Sequence, residues 1–180
     1  MSRPSLESGT SMSVDPITHG ATTEVRTVET AQTIYEEARL GTRISYSDGT
    51  PRPPGRHRSR LRAWEERTGD GYLTERSPGY RDGDPGRFTL RNHIHGRADA
   101  PGPSVEREFR TDSSLAFKRI GGPDVGEILC IRRCRGRPGL PAELARVART
   151  RLEASAWAER CDDDAELAIV LPGDFDHGWE

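Results

Sequence analysis

The sequence predicts an α+β fold, in which a mostly antiparallel sheet is packed by a C-terminal amphipathic helix behind a disordered N-terminal lead. Between residues 42 and 132, short segments of apolar character alternate with Gly- and Pro-rich turns, which is typical of strands. Apolar residues recur every four positions over residues 140–161, as they do on one face of a helix. Residues 1–24 are rich in Ser, Thr and Gly with few large apolar side chains, so we expect them to be disordered.

The composition indicates a small folded core with long loops. Leu, Ile, Val and Phe number 12, 8, 7 and 4, so they make up 31 of the 180 residues. The net charge of −2 is too low for a fully disordered chain. We therefore predict one domain over residues 25–173, followed by an acidic tail over residues 174–180. The sequence excludes a membrane-spanning helix, and its three cysteines exclude a disulfide-built miniprotein.

The N-terminal half predicts two helices and a strand. A helix is expected over residues 28–40, with Thr27 or Thr30 as its N-cap and Ile34 on its apolar side. Residues 42–47 alternate as a strand does. Residues 57–68 predict a short helix whose Leu61 and Trp64 face inward.

The rest of the chain predicts strands and one long helix. Strands are expected over residues 72–76, 87–95, 105–110, 114–120 and 167–171. Residues 125–132 form the best strand pattern, and their apolar centre predicts a central position in the sheet. The helix over residues 140–161 carries its predicted apolar stripe on Leu144, Ala148, Leu152 and Ala156.

Charge is distributed unevenly along the chain. Residues 51–63 contain five arginines and no acid, and residues 131–137 contain four arginines. Residues 162–180 contain seven acids and no Lys or Arg. The basic side chains comprise 26 Arg and a single Lys, which we attribute to base composition rather than to selection for phosphate binding.

The candidate binding site is the first basic segment. If residues 57–68 are helical, Arg58 and Arg62 share one face and Arg60 lies on another. Such a segment can pair with phosphates or with carboxylates. The candidate residues are Arg52, Arg56, Arg58, Arg60 and Arg62.

A metal or nucleophile site is the alternative. His93 and His95 would share a strand face and could hold one metal ion, with Cys130 and Cys134 as further ligands. The two cysteines are poorly spaced for this, since four strand residues span about 13 Å. Cys134 also lies among arginines, which would lower its thiol pKa.

These patterns favour a small, non-catalytic binding or adaptor protein of a prokaryote, with no cofactor and with a protein as its partner. A nucleic-acid-binding accessory protein that uses the 52–62 arginines is the first alternative. A metal-dependent hydrolase or nuclease centred on His93 and His95 is the second. The N-terminus lacks the apolar region of a secretory signal, so we expect a cytoplasmic location. The oligomeric state does not follow from the sequence.

Overall fold

The computed structural model describes residues 28–79, 81, 83–95, 104–133, 141–161 and 164–175. The predicted disordered lead therefore lies outside the described residues, as does Cys134. The elements in chain order are α1 (Ala31–Glu37), β1 (Arg43–Ser47), α2 (Arg58–Arg67), β2 (Gly69–Ser77), β3 (Arg87–Arg91), β4 (Glu106–Arg110), β5 (Ala116–Gly121), β6 (Ile128–Arg132), β7 (Glu143–Ala148), α3 (Arg151–Ala158) and β8 (Ala165–Ile169). No helix among these residues is long and apolar enough to cross a membrane.

The strands form one eight-stranded sheet, and each registered strand pair is antiparallel. Six strands follow the order β4-β3-β2-β7-β6-β8, and β1 pairs with both β2 and β5. The prediction of a mixed α and β fold with a mostly antiparallel sheet is thus confirmed.

The first elements follow from local sequence signals. Thr30 caps α1, since its side chain accepts a hydrogen bond from the backbone N–H of Thr33. Ile34 is fully buried on the inner side of that helix. In β1, Ile44 and Tyr46 point into the core, as the alternation predicts.

The main core lies between α1 and strands β1 to β5. It is built around four aromatic rings, Tyr46, Phe88, Phe109 and Phe117, whose neighbouring centroids lie 4.8 to 5.5 Å apart. Tilted and edge-to-face contacts at these distances add to the burial of the rings themselves. A small set of large side chains therefore fills the core despite the low aliphatic content.

The helix predicted over residues 140–161 is wrong in its first half. Glu143–Ala148 is strand β7, which pairs with β6, and only Arg151–Ala158 is helical. Thr150 separates the two elements by accepting a hydrogen bond from the backbone N–H of Glu153. Pairing with β6 overrides the local helical pattern because it supplies backbone partners to the whole segment while burying Leu144 and Val147.

The predicted apolar stripe of that helix is also wrong. Leu152 is 81% exposed, whereas Ala154 and Trp157 lie in a buried cluster with Ile128 and Cys130 of β6. The four-residue repeat joins side chains from two different elements, and so it never forms one face.

Strand β6 occupies the inner position that its apolar centre predicts. It pairs with β7 on one side and with β8 on the other. Strand β8 begins and ends two residues earlier than predicted. After β8, Asp174 accepts a hydrogen bond from Leu171 N–H and pairs with Arg39, and Phe175 is buried. The segment predicted as an acidic tail therefore begins with two residues that pack on the domain.

Candidate functional site

The Arg-rich segment forms a loop followed by a helix that stands on the surface. We call residues 51–67 the basic arm. Residues 51–54 have no regular structure, in agreement with their three prolines, and His57 N–H donates to Pro54 O before α2 begins. Helix α2 has no side-chain cap at its first turn and no acid there.

Helix α2 contains no buried residue. Leu61 and Trp64, which the sequence predicts to face inward, are only partly covered. The side of the helix that carries Leu61 and Trp64 is therefore half-covered, and its other residues are exposed to solvent. A polar helix of ten residues is too short to be stable alone in water, so contacts with the domain must hold it.

Three contacts attach the arm to the domain. Trp64 Nε1 donates to Thr50 O at 2.9 Å, and Arg107 of β4 donates to Glu66 O at 2.5 Å. Arg67 lies 3.7 Å from Asp48, whose pKa is lowered chiefly by the hydroxyl of Thr50. These contacts involve the second half of α2, so its first half projects without a described tertiary hydrogen bond.

The five predicted arginines all lie in this arm, and all are exposed. The guanidinium of Arg52 lies 5.8 Å from the centroid of Trp64, and Arg56 Nε donates to His57. Arg62 pairs loosely with Glu66 at 3.8 Å. Arg58 and Arg60 have no carboxylate within ion-pair distance in the described part of the chain. The arm thus carries a local excess of positive charge.

Arg107 was missed by the sequence reasoning. It is distant in sequence, yet it holds the end of α2 while its guanidinium lies 5.8 Å from the ring centroid of Tyr46. The pairing of β4 with β3 brings Arg107 to the end of α2. No local pattern in residues 104–110 predicts that contact.

The second arginine cluster lies away from the arm. Of its four arginines, Arg132 and Arg133 are described, and they pair with Glu143 and Glu166 respectively. Glu143 is opposite Glu75 of β2, whereas α2 enters β2 at Gly69. Six strand residues separate these points, which is about 20 Å. The end of α2 and the Arg132–Glu143 pair therefore lie beside different ends of β2.

His95 is engaged by a carboxylate rather than by a second histidine. Its Nε2 lies 3.1 Å from Glu127 Oε2, and its ring meets Tyr72 edge-on. His93 is exposed, and the predicted strand ends before it, at Arg91. The described ranges contain no group of three or more His, Cys, Asp or Glu side chains placed to hold a metal ion.

Cys130 is a core residue. It is fully buried beneath α3, and burial raises the pKa of its thiol to about 11. A thiol that ionises so reluctantly is a poor nucleophile and a poor metal ligand. Its predicted companion Cys134 lies outside the described residues.

No curated protein and no solved structure matches the chain. A family model does match it, over residues 29–171, a span that includes the basic arm and all eight strands. The chain belongs to the family described as "Uncharacterised conserved protein UCP036055".

Proposed function

We propose that this protein is a non-catalytic binding protein that docks its basic arm on an acidic surface of a protein partner. The observation that carries the proposal is helix α2, which has no buried residue and presents exposed arginines. A helix without a buried side chain contributes little to the hydrophobic core of the domain. Its conformation is nevertheless fixed by Trp64, Glu66 and Arg67.

Arginine suits this task because its guanidinium forms paired hydrogen bonds with carboxylates. Arg58 and Arg62 lie one helical turn apart, so both can reach the same acidic strip. The contacts at the C-terminal half of α2 already order the helix, so binding a partner costs less conformational entropy. We place this interaction in the cytoplasm, where Cys130 and Cys161 would stay in the free thiol state in which they are found.

Two features favour a protein over a nucleic acid as the partner. The whole chain has a net charge of −2, whereas nucleic-acid-binding domains are usually strongly basic. Trp64, the aromatic residue of the arm, is half-buried, donates to Thr50 O and has the Arg52 guanidinium 5.8 Å from its ring centroid, so little of its ring is left for base stacking.

A nucleic-acid-binding accessory protein is the second candidate. It is favoured by the density of charge, since five arginines lie between residues 52 and 62 with no acid among them. Contacts of this kind with the phosphates of a duplex need no aromatic stacking.

The described residues give no support to a metal-dependent hydrolase. His95 is paired with Glu127, and the described residues offer no third side chain that would complete a metal site with His93.

The experiment compares two variants that lose the same charge. One changes Arg56, Arg58, Arg60 and Arg62 of the arm to Ala. The control changes Arg81, Arg149, Arg151 and Arg160, which are exposed elsewhere, to Ala. Each tagged protein is used to capture partners from nuclease-treated host lysate. The captured proteins are quantified by mass spectrometry. We expect a stoichiometric acidic partner with the wild type and the control, and its loss with the arm variant. Retention by a folded arm variant would contradict the proposal.

A salt titration distinguishes the nucleic-acid-binding candidate from the protein-binding one. Binding of a fluorescent duplex is followed by anisotropy at several salt concentrations. If the four arginines each neutralise one phosphate, the arm variant will show a slope of log K against log salt that is smaller by about 3.6. That result, without a captured protein, would replace the first candidate with the second.

A further inference from the structure

Strand β8 forms an edge of the sheet within the part of the chain that the structure describes. It pairs with β6 along its whole length, and no described strand lies on its other side. The opposite end of the strand order is β4, where Glu106, Arg107, Glu108 and Arg110 make four of five residues charged. Charged side chains of this kind protect an edge from pairing with other chains. Strand β8 carries one charged residue, Glu166, so its edge lacks this protection.

The hydrogen bonds beside β8 identify the backbone groups that face outward. Val170 N–H donates to Glu127 O, Gly126 N–H donates to Val170 O, and Arg133 N–H donates to Asp164 O. Even-numbered residues of the strand therefore point their N–H and C=O groups toward β6. Because these groups alternate along a strand, those of Ala165, Leu167 and Ile169 point away from β6. This open side is called the β8 edge.

The same residues carry exposed apolar side chains. Leu167 is 41% exposed and Ile169 is 49% exposed, and Leu171 just beyond the strand is 59% exposed. The register places Leu167 and Ile169 opposite Cys130 and Ile128, so they lie on the sheet face that α3 partly covers. Among the described residues, backbone groups without a strand partner and exposed apolar side chains thus coincide on β8.

We propose that the β8 edge pairs with the β8 edge of a second copy of this chain, in antiparallel register about Leu167. Leu167 of one copy then faces Leu167 of the other, and Ala165 faces Ile169. The outward N–H and C=O groups of all three residues gain partners across the two-fold axis.

The charges along the strand are compatible with this self-pairing. Glu166 comes opposite Ala168 of the second copy, so the two glutamates do not face each other. Its side chain lies on the other side of the sheet from Leu167 and is already paired with Arg133. No like charges within the strand are therefore brought into direct opposition, which would destabilise the pair.

The proposed interface is short, so the dimer is expected to be weak. Stable interfaces bury about 800 Å² on each partner. One five-residue strand with a few apolar side chains buries a smaller area than that. We therefore expect a reversible dimer that dissociates on dilution.

Sedimentation equilibrium of the full chain tests the proposal. We expect the weight-average mass to rise from one copy toward two as the concentration rises from about 1 µM to about 1 mM, a range that spans binding free energies of about −8 to −4 kcal/mol. Two variants address the edge directly. Leu167→Lys places two like charges across the axis. Leu167→Pro removes an N–H that points away from β6, so the ladder within the chain stays intact.

Both variants are expected to lose the dimer and keep the wild-type circular dichroism spectrum. Leu152→Lys is the matched control, since Leu152 is 81% exposed on the outer side of α3 and should leave the dimer unchanged. The proposal is overturned if the wild type stays monomeric throughout, or if a folded Leu167→Lys variant dimerises as the wild type does. A monomeric wild type would leave the β8 edge to a different protein.

Discussion

Cys130 shows how burial decides the chemistry of a single residue. Its side chain lies beneath α3 with Ala154 and Trp157, and its sulfur has Ile128 O at 3.8 Å. Removing the thiol from water disfavours the thiolate, and this raises the pKa from 9.0 to about 11. The nearby guanidinium of Arg146 opposes the shift without cancelling it. The residue is therefore a packing residue, although cysteine on a strand suggested a ligand.

The raised pKa of Cys130 predicts a loss of stability at alkaline pH. Between about pH 9 and pH 11 the folded state keeps the proton that the unfolded state has released. Stability falls as the pH rises wherever the folded state binds more protons, and two pKa units correspond to at most about 2.7 kcal/mol. We expect the free energy of unfolding of the wild type to fall through this window by more than that of Cys130→Ala. Urea unfolding at pH 8 and pH 10.5 measures this difference, and parallel losses in both proteins would show that Cys130 does not cause it.

At the scale of elements, β7 and α3 show how one sequence pattern can be divided between two structures. Strand β7 runs alongside β6, the chain turns at Thr150, and α3 returns over the sheet to reach β8. β7 and β8 are thus parallel to each other with β6 between them. The turn occurs inside the segment with the best helical repeat, so the repeat itself had no structural meaning.

Two leucines of that repeat distinguish a single helix over residues 140–161 from the observed strand β7 followed by α3. Leu144 is fully buried in β7, whereas Leu152 is 81% exposed on α3. We expect Leu144→Ala to lower the free energy of unfolding by about 2–5 kcal/mol. We expect Leu152→Ala to change it by less than about 0.5 kcal/mol, because it removes no buried contact. Chemical denaturation of both variants measures this contrast. Equal losses would mean that the two residues share one buried helical face.

At the scale of the whole molecule, one arginine helps to join the two parts of the sheet, beside the backbone hydrogen bond from Val147 N–H to Ile94 O. Strands β2 and β7 meet at a single registered pair, Glu75 with Glu143. Arg91 of β3 reaches across this junction, donating to Ala145 O at 3.1 Å and to Glu143 at 3.2 Å. It also pairs with Glu106 at 2.7 Å, and its side chain is only 14% exposed. Arg91 thus supplies a cation to Glu143, which is opposite Glu75 where the two parts meet.

We therefore expect Arg91→Met to destabilise the protein by about 1–3 kcal/mol, because Glu143 keeps only Arg132 as a cation and Ala145 O loses a hydrogen-bond donor. Glu143→Gln in the same chain removes the carboxylate that has lost its shorter ion pair and keeps only Arg132, at 3.8 Å. The double variant should then be less destabilised than the sum of the single changes, by about 0.5–3 kcal/mol. Thermal and urea unfolding of the four proteins complete this cycle. Additive losses would mean that Arg91 acts through its other contacts alone.

The sequence by itself determined the features whose causes are local. Alternation predicted β1, and the prolines kept residues 51–54 out of the sheet. The sequence offered Thr27 and Thr30 as caps of the first helix, and the structure uses Thr30. The apolar centre of residues 125–132 placed β6 inside the sheet. The five arginines of the arm could be named because their density is a property of the chain.

Only the tertiary structure decided the features that depend on distant partners. β7 is a strand because β6 lies beside it, and Leu152 is exposed because Ala154 and Trp157 are the residues that meet the sheet. Arg107 supports the arm only because β4 pairs with β3. Whether β8 leaves an open edge is likewise invisible in its own five residues. Strand pairing joins residues far apart in sequence, and its free energy exceeds the small local preferences from which a sequence pattern is read.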